Sequence, residues 1–404
     1  MAEAEPGDQD RQAIHTAAPT RYGVLPVLGA ASLVVGLGLL LYSLVAEDEG
    51  TAAVPVTGNA NSLNMSCFAF RDINADGQFD TDDRPYAWLS VAGEGPGGST
   101  RTQSNMNGFA NFPMLLDGDN ALVSQPGAYR FEALPPKSFM LTTGSVERVV
   151  EFAELEGSPV GIVAVDQCEP YGLTPALTIS GSLELQNSTA EEVIIENGSE
   201  QVDADVADGR YAGDVVRGEW MVSLSDGDAA PMVRAVEVTD VPVVVSSSVN
   251  HDAPTQAAEV VLGFDDFTAA NTIAEIPNGY GGLNWSNWVA THRLVYGGPG
   301  YVNTNTSGEF VAYNGSGSPG RVSSDEPFDF VGAYFGVAWP AAESHPVTVQ
   351  AWRDDELVYE DSLELATTGA VYFDADYRDI TALEVVSSAR WQVVIDDAAF
   401  RVGG

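Results

Sequence analysis

The most constraining feature of the sequence is an acidic stretch of twelve residues, Asp72 to Asp83. Its five carboxylates would repel one another in a compact fold unless a cation lay between them. Oxygen-bearing side chains stand at loop positions 1, 3, 5, 9 and 12, and glycine at position 6 permits a sharp turn. The spacing predicts a Ca²⁺ site with these ligands: Asp72, Asn74, Asp76, Gln78 through its backbone carbonyl, Asp80 and Asp83. The alternative is an acidic surface loop without a metal.

The charge balance excludes several kinds of partner. The 404 residues include 17 Lys and Arg against 58 Asp and Glu, which gives a net charge of −41. Such a surface repels phosphate backbones and anionic lipid headgroups, so we expect no nucleic-acid binding and no peripheral membrane binding. With 41 Gly, 22 Pro and few helical patterns, the chain is expected to be built from strands and turns.

The N-terminal part predicts a single membrane anchor. Residues 1–21 are polar and form a predicted cytoplasmic tail, and residues 22–46 contain no charged residue. A helix of about 22 apolar residues spans roughly 33 Å, enough for a hydrocarbon core of about 30 Å. Arg11 and Arg21 precede this segment, which places the N-terminus inside and the bulk of the chain outside the cytoplasm, at the cell surface or in the periplasm. A cleaved signal peptide is the alternative, and residues 47–64 are a predicted linker.

The two cysteines bracket the first folded segment. Cys67 and Cys168 are the only cysteines in the sequence. Outside the cytoplasm an even count favours a disulfide, which would close a loop of about a hundred residues. The alternative is two unrelated buried thiols.

Three motifs in this segment resemble a known family. The acidic loop follows Phe70-Arg71, a Gly-Phe-x-x-Phe motif begins at Gly108, and a Pro-Gly-x-Tyr-x-Phe motif begins at Pro126. Together they resemble an SdrD B-like module, a relative of the Cna B-type repeats of bacterial surface adhesins, over residues 65–169. The resemblance implies a prealbumin-like β-sandwich in which calcium stiffens a stalk. With Lys137 the only lysine, the internal Lys–Asn isopeptide bond of many Cna B-type modules is expected to be absent.

The remainder predicts two more β-domains. Residues 176–251 contain short alternating strands and predict a second small β-sandwich, either a degenerate prealbumin-type module or another small sandwich. Residues 252–259 are a predicted linker. Residues 260–402 show no helical stretch and hold eight predicted strands, which indicates a jelly-roll-like sandwich: Val260–Phe264, Gly308–Tyr313, Val331–Trp339, Val347–Arg353, Glu356–Glu364, Ala370–Phe373, Ala382–Ser387 and Gln392–Phe400. The predicted fold class is all-β: one N-terminal transmembrane helix followed by tandem β-sandwich modules.

Two features of residues 260–402 are candidate sites. An Asp pair opens the module and another closes it, and pairing of the first and last strands would bring four carboxylates together as a possible second metal site: Asp265, Asp266, Asp396 and Asp397. Simple alternation, with some of them facing solvent, is the alternative.

The second candidate is a glycine-rich loop with flat aromatic side chains beside amides, which suits stacking on sugar rings: Tyr280, Asn284, Trp285 and Trp288. Aromatics that plug the end of the sandwich are the alternative. This stretch is similar to an uncharacterised domain of exported bacterial and fungal proteins, which implies export and a β-sandwich but no activity.

Catalytic motifs do not occur in the sequence. The four histidines are scattered, and there is no zinc-ligand spacing, Gly-x-Ser-x-Gly elbow, P-loop or dinucleotide fingerprint. We therefore expect a protein that is not an enzyme: a membrane-anchored display protein for adhesion or glycan binding. The alternatives are a structural envelope component with no ligand but calcium, and a carbohydrate-active hydrolase in the C-terminal module.

Overall fold

The computed structural model of the protein describes residues 63–403 except 186–187, 228–229, 249–253, 255–256, 268–272 and 344. The predicted tail, membrane anchor and nearly all of the 47–64 linker lie outside the described residues. Within the described part, no helix is both long and apolar enough to span a bilayer. The described residues are nearly all β, which agrees with the predicted all-β class.

The first module is a sandwich of two sheets. Its ten strands are β1 (Asn64–Arg71), β2 (Arg84–Pro85), β3 (Ser90–Gly95), β4 (Gly98–Gln103), β5 (Phe109–Pro113), β6 (Gly127–Leu134), β7 (Phe139–Leu141), β8 (Glu147–Glu154), β9 (Ile162–Ala164) and β10 (Tyr171–Pro175). One sheet has β1 paired in parallel with β10 and antiparallel with β5, and the other has the order β4-β3-β6-β8-β9. Because alternate residues of a strand face opposite sides, Tyr129 and Phe131 of β6 both enter the core.

A disulfide closes this module. The structure joins Cys67, on β1, to Cys168, which lies between β9 and β10, across 101 residues of sequence. On the chain-entropy account, closing a loop of that length stabilises the fold by roughly 4–5 kcal/mol.

The second module repeats the strand order of the first. Its eight strands are β11 (Thr178–Ser182), β12 (Glu192–Glu196), β13 (Gln201–Val202), β14 (Asp205–Ala207), β15 (Arg210–Asp214), β16 (Gly218–Ser225), β17 (Met232–Val238) and β18 (Val243–Val245). The first strand, β11, pairs in parallel with the last, β18, and antiparallel with β15, as β1 does with β10 and β5. Strands β12, β16 and β17 form the facing sheet with β13.

Besides four 3₁₀ helices of three residues each, the third module has ten described strands and one short α-helix. They are β19 (Glu259–Leu262), β20 (Ile273–Glu275), β21 (Asn284–Ser286), β22 (Trp288–His292), α1 (Pro299–Asn303), β23 (Phe310–Asn314), β24 (Gly320–Val337), β25 (Val347–Arg353), β26 (Glu356–Leu363), β27 (Val371–Ser387) and β28 (Val393–Val402). The predicted pairing of the first strand with the last is confirmed, because β19 lies antiparallel to β28.

Two expectations for this module are corrected. Strand β27 is a single strand where the sequence predicted two, because it continues through register shifts in its pairing with β24. Glu259, predicted to lie in a linker, begins β19.

Over the described residues, the three modules pack into one compact unit. Strand β18 pairs in parallel with β27, so the second module shares a continuous sheet with the third. Between the first and third modules, the buried side chain of Asn303 bonds the backbone of Ala87 in both directions. The modules are therefore interlocked by main-chain and buried polar contacts.

Candidate functional site

The acidic loop connects β1 to β2 in the first module. Its first residue, Asp72, follows β1 directly, and its backbone N–H donates to Leu173 O at 2.9 Å. Ala75 and Gly77 both have positive φ, at 58° and 78°, which makes the sharp turn. A Cβ on Gly77 would lie 3.0 Å from Thr142 O, so glycine is needed here for both conformation and space.

Two buried carboxylates hold the loop closed. Asp72 accepts hydrogen bonds from the N–H groups of Asp76 at 3.2 Å and Gly77 at 2.7 Å. Asp83 accepts from the N–H groups of Ile73 at 2.9 Å and Asp80 at 3.0 Å, so it ties the two ends of the loop together. These contacts fix the two carboxylates to the backbone of the loop.

Position 12 of the loop is filled by Asp83. Its side chain is buried within the loop, whereas the neighbouring Asp82 is exposed. Burial raises the pKa of Asp83, and the nearby carboxylates of Asp72 and Asp80 raise it further. The loop oxygens thus lie close enough for their negative charges to oppose one another.

An amide N–H₂ group occupies a position between two of the carboxylates. Asn74 Nδ2 donates to Asp76 at 3.2 Å and to Asp80 at 3.3 Å. Among the described residues, none of the five loop carboxylates pairs with Arg or Lys. Within the same residues, no group of three or more His, Cys, Asp or Glu side chains is placed to hold a metal ion. A cation bound here would require the Asn74 amide to turn its oxygen inward, and the oxygen donors then available are those that Ca²⁺ prefers.

An aromatic side chain of the loop fixes it to β1. Phe79, at loop position 8, packs against Phe68 with ring centroids 4.9 Å apart and against Phe70 at 5.4 Å. The ring is 51% exposed, so it covers the outer side of β1 and is not part of the core.

Contacts with the second module lie beside the loop. The Arg217 guanidinium donates to the carbonyl of Ile73, within the loop. Arg71, immediately before the loop, is buried and donates to Asp240 O at 3.4 Å, with the Asp240 carboxylate at 3.8 Å. Burial lowers the pKa of Arg71, and the Asp240 carboxylate opposes that shift. No local pattern in the sequence indicates the role of Arg71, because its partner is 169 residues away.

The predicted aromatic surface is corrected by the structure. Trp285 and Trp288 are 6% and 2% exposed and belong to the core of the third module. Trp285 packs edge-on against Phe264, and its indole N–H donates to Tyr280 O at 2.9 Å. Tyr280 is half-buried, and Asn284 is the exposed member of the predicted set. The tryptophans therefore fill the sandwich and cannot stack on a ligand.

The four aspartates of the third module are partly brought together. Asp396 is fully buried, and it accepts hydrogen bonds from loop 304–310, as do Asp397 and Asp265. Burial raises the pKa of Asp396 well above its usual range, and the Asp397 carboxylate adds to the rise. Asp266 is exposed and lies apart from this network. Three of the four predicted residues thus anchor one loop through its N–H and hydroxyl groups.

A cleft between the second and third modules contains residues that the sequence analysis missed. Tyr334, on β24, and Tyr372, on β27, line it together with residues of β17 and β18. Both tyrosines lie in predicted strands, but their approach to the second module depends on the pairing of β18 with β27. No local pattern in the sequence indicates that pairing.

Comparison with known proteins gives no family. No protein-family model matches the sequence, and no curated protein matches it. Among solved structures, the Bacillus anthracis TIE protein is similar over 46% of this chain and 34% of its own, with 9% identity and a TM-score of 0.20. The CBM51-2 and INT domains of Clostridium perfringens ZmpB are similar over 52% of this chain and 40% of theirs, with 15% identity and a TM-score of 0.21. With scores this low, neither likeness says what this chain binds, and the resemblance to SdrD B-like modules is not confirmed.

Proposed function

We propose that this chain is an exported display protein whose first module binds calcium through the loop Asp72–Asp83. In this proposal residues 22–46 anchor the chain in the membrane, and the interlocked β-sandwiches hold a ligand-binding surface outside the cytoplasm. The role is one of binding, for adhesion or for recognition of a glycan, and not of catalysis. The resemblance to SdrD B-like modules is consistent with such a surface protein.

One observation carries the calcium assignment. Backbone N–H groups already fix the Asp72 and Asp83 carboxylates around the loop centre, and the positive end of an amide stands between Asp76 and Asp80. With those two carboxylates already fixed, binding of a hard cation would require the Asn74 amide to turn its oxygen towards the cation, which completes the oxygen donors of the loop.

Calcium titration tests the proposal. A ligand that binds only the folded state stabilises it by about 2.7 kcal/mol at a hundredfold excess over its Kd. We expect the melting temperature of the full chain to rise with added Ca²⁺, to fall with EDTA, and to lose this response in Asp72→Asn. Asp82→Asn removes the same charge from the exposed neighbour in the same loop and should keep the response. A melting temperature that is the same in calcium and in EDTA would refute the assignment.

A further inference from the structure

The cleft between the second and third modules is a cavity with a defined lining. It has a volume of about 480 Å³ and lies between β17 and β18 on one side and β19, β24, β27 and β28 on the other. This volume is within the range of roughly 300–1,000 Å³ that is typical of small-molecule sites. Its polar and aromatic lining consists mainly of Glu237, Glu259, Tyr334, Tyr372, Asp374 and Asp397. Thr239 and several valine and alanine side chains complete the surface.

Two tyrosine rings form one wall of the cleft. The rings of Tyr334 and Tyr372 have centroids 5.1 Å apart and planes inclined by 60°. Burial raises the pKa of Tyr334 to about 12, and the Asp240 carboxylate adds to the rise. Burial also raises the pKa of Tyr372. Both hydroxyls are therefore neutral at physiological pH and can donate hydrogen bonds.

Four carboxylates surround the tyrosines, and two of them are neutralised by arginines. Asp374 pairs with Arg234 at 3.1 Å, and Glu259 pairs with Arg401 at 2.9 Å. Asp397 accepts hydrogen bonds from the hydroxyls of Thr306 and Ser307, and Glu237 is exposed at the rim. The cleft thus combines flat apolar faces with an excess of hydrogen-bond acceptors and negative charge.

We infer that this cleft binds a mono- or disaccharide that carries no negative charge, and that it binds an amine-bearing sugar most tightly. Sugar rings offer a C–H face that packs on tyrosine and hydroxyls that donate to carboxylates. The residual negative charge attracts an ammonium group and repels a uronate. This inference rests on the proposed display function and gives it a site other than the buried tryptophans.

Binding of three disaccharides to the full chain in a sugar-free detergent tests the inference. Calorimetry or ligand-observed NMR would use the glucosamine disaccharide, cellobiose and digalacturonate. We expect the first to bind more tightly than the second, and the third not to bind. Binding of digalacturonate equal to that of the others, or binding of none of the three, would overturn the assignment. The calcium response of the melting temperature is measured separately, so it shows whether the proposed function fails as well.

Variants locate the binding. Tyr372→Ala should weaken binding by roughly tenfold or more, and Tyr372→Phe should keep most of it because the ring remains. Glu237→Lys changes an exposed residue, so it leaves the fold intact and should abolish the preference for the amine sugar. Tyr280→Ala, at the loop of the predicted aromatic surface, is the control and should bind normally. Binding that is lost in Tyr280→Ala and kept in Tyr372→Ala and Glu237→Lys would refute the cleft and leave glycan display intact.

Discussion

Replacement of Asn303 by alanine should loosen the first module from the third. The Asn303 side chain is 5% exposed, accepts from Ala87 N at 3.1 Å, and donates to Ala87 O at 3.1 Å and to Thr367 O at 2.8 Å. Alanine removes all three hydrogen bonds. The Ala87 N–H and two carbonyls would then be buried at the contact without this partner.

The expected loss follows from those three groups. A buried polar group without a partner costs about 1–3 kcal/mol, and carbonyls tolerate this better than N–H groups, so we expect a total of about 3–5 kcal/mol. For a unit of about 350 residues, Val56 to Gly404, the unfolding entropy is about 0.7 kcal/mol/K. The melting temperature should therefore fall by about 4–7 °C.

Thermal unfolding of the full chain, followed by circular dichroism, measures this change. Asn197→Ala is the matched control, because Asn197 also accepts backbone hydrogen bonds, from Ser199 and Glu200, but in a turn at the surface. It should lower the stability by less than about 1 kcal/mol. A shift in Asn303→Ala no larger than that of Asn197→Ala would refute the reasoning, since it would mean that the buried contact does not join the modules in solution.

Two further predictions concern buried carboxyls and the core. Burial raises the pKa of Asp361, Asp374 and Asp396. A raised carboxyl pKa gives stability that is complete below about pH 4 and is lost as the pH rises through the folded-state pKa. We therefore expect the melting temperature in EDTA to rise as the pH is lowered from about 8 to about 5. Asp361→Asn should make this rise smaller. A melting temperature that falls steadily over the same pH range would contradict the prediction. Trp285→Ala should cost about 3–5 kcal/mol in the free energy of unfolding and leave sugar binding by the folded protein unchanged, both measured by calorimetry. Unchanged stability together with lost sugar binding would contradict the place of Trp285 in the core.

Local patterns were sufficient for the fold class and for most strands. Val347–Arg353 shows the two-residue alternation of a half-buried strand, and the predicted bounds match the structure. The acidic loop follows β1 as predicted, because its glycine and short polar side chains favour a turn wherever they stand. Such features depend on neighbours a few residues away, which the sequence shows directly.

The aromatic loop shows where local patterns fail. Tryptophans beside glycines and asparagines are equally compatible with an exposed surface and with a plug at the end of a sandwich. The choice depends on distant residues: Trp285 also meets Phe400, from the last strand of the module. Tyr334 and Tyr372 were missed for the same reason, because the second module, which forms the other side of the cleft, pairs with β27 through β18.

Polar contacts help to join the modules, and this bears on how a ligand site between them can exist. Arg71 meets Asp240, Arg234 meets Asp374, and Asn303 meets Ala87, and the first residue of each pair is buried or nearly buried. Two apolar surfaces can slide past each other and stay in contact. A buried charge or amide loses its partner as soon as the modules shift, and this loss costs several kcal/mol. The relative position of the second and third modules is therefore fixed by the Arg234–Asp374 pair and by the pairing of β18 with β27. A cleft lined by both modules can then keep a fixed shape, which is what selective recognition of a small sugar requires.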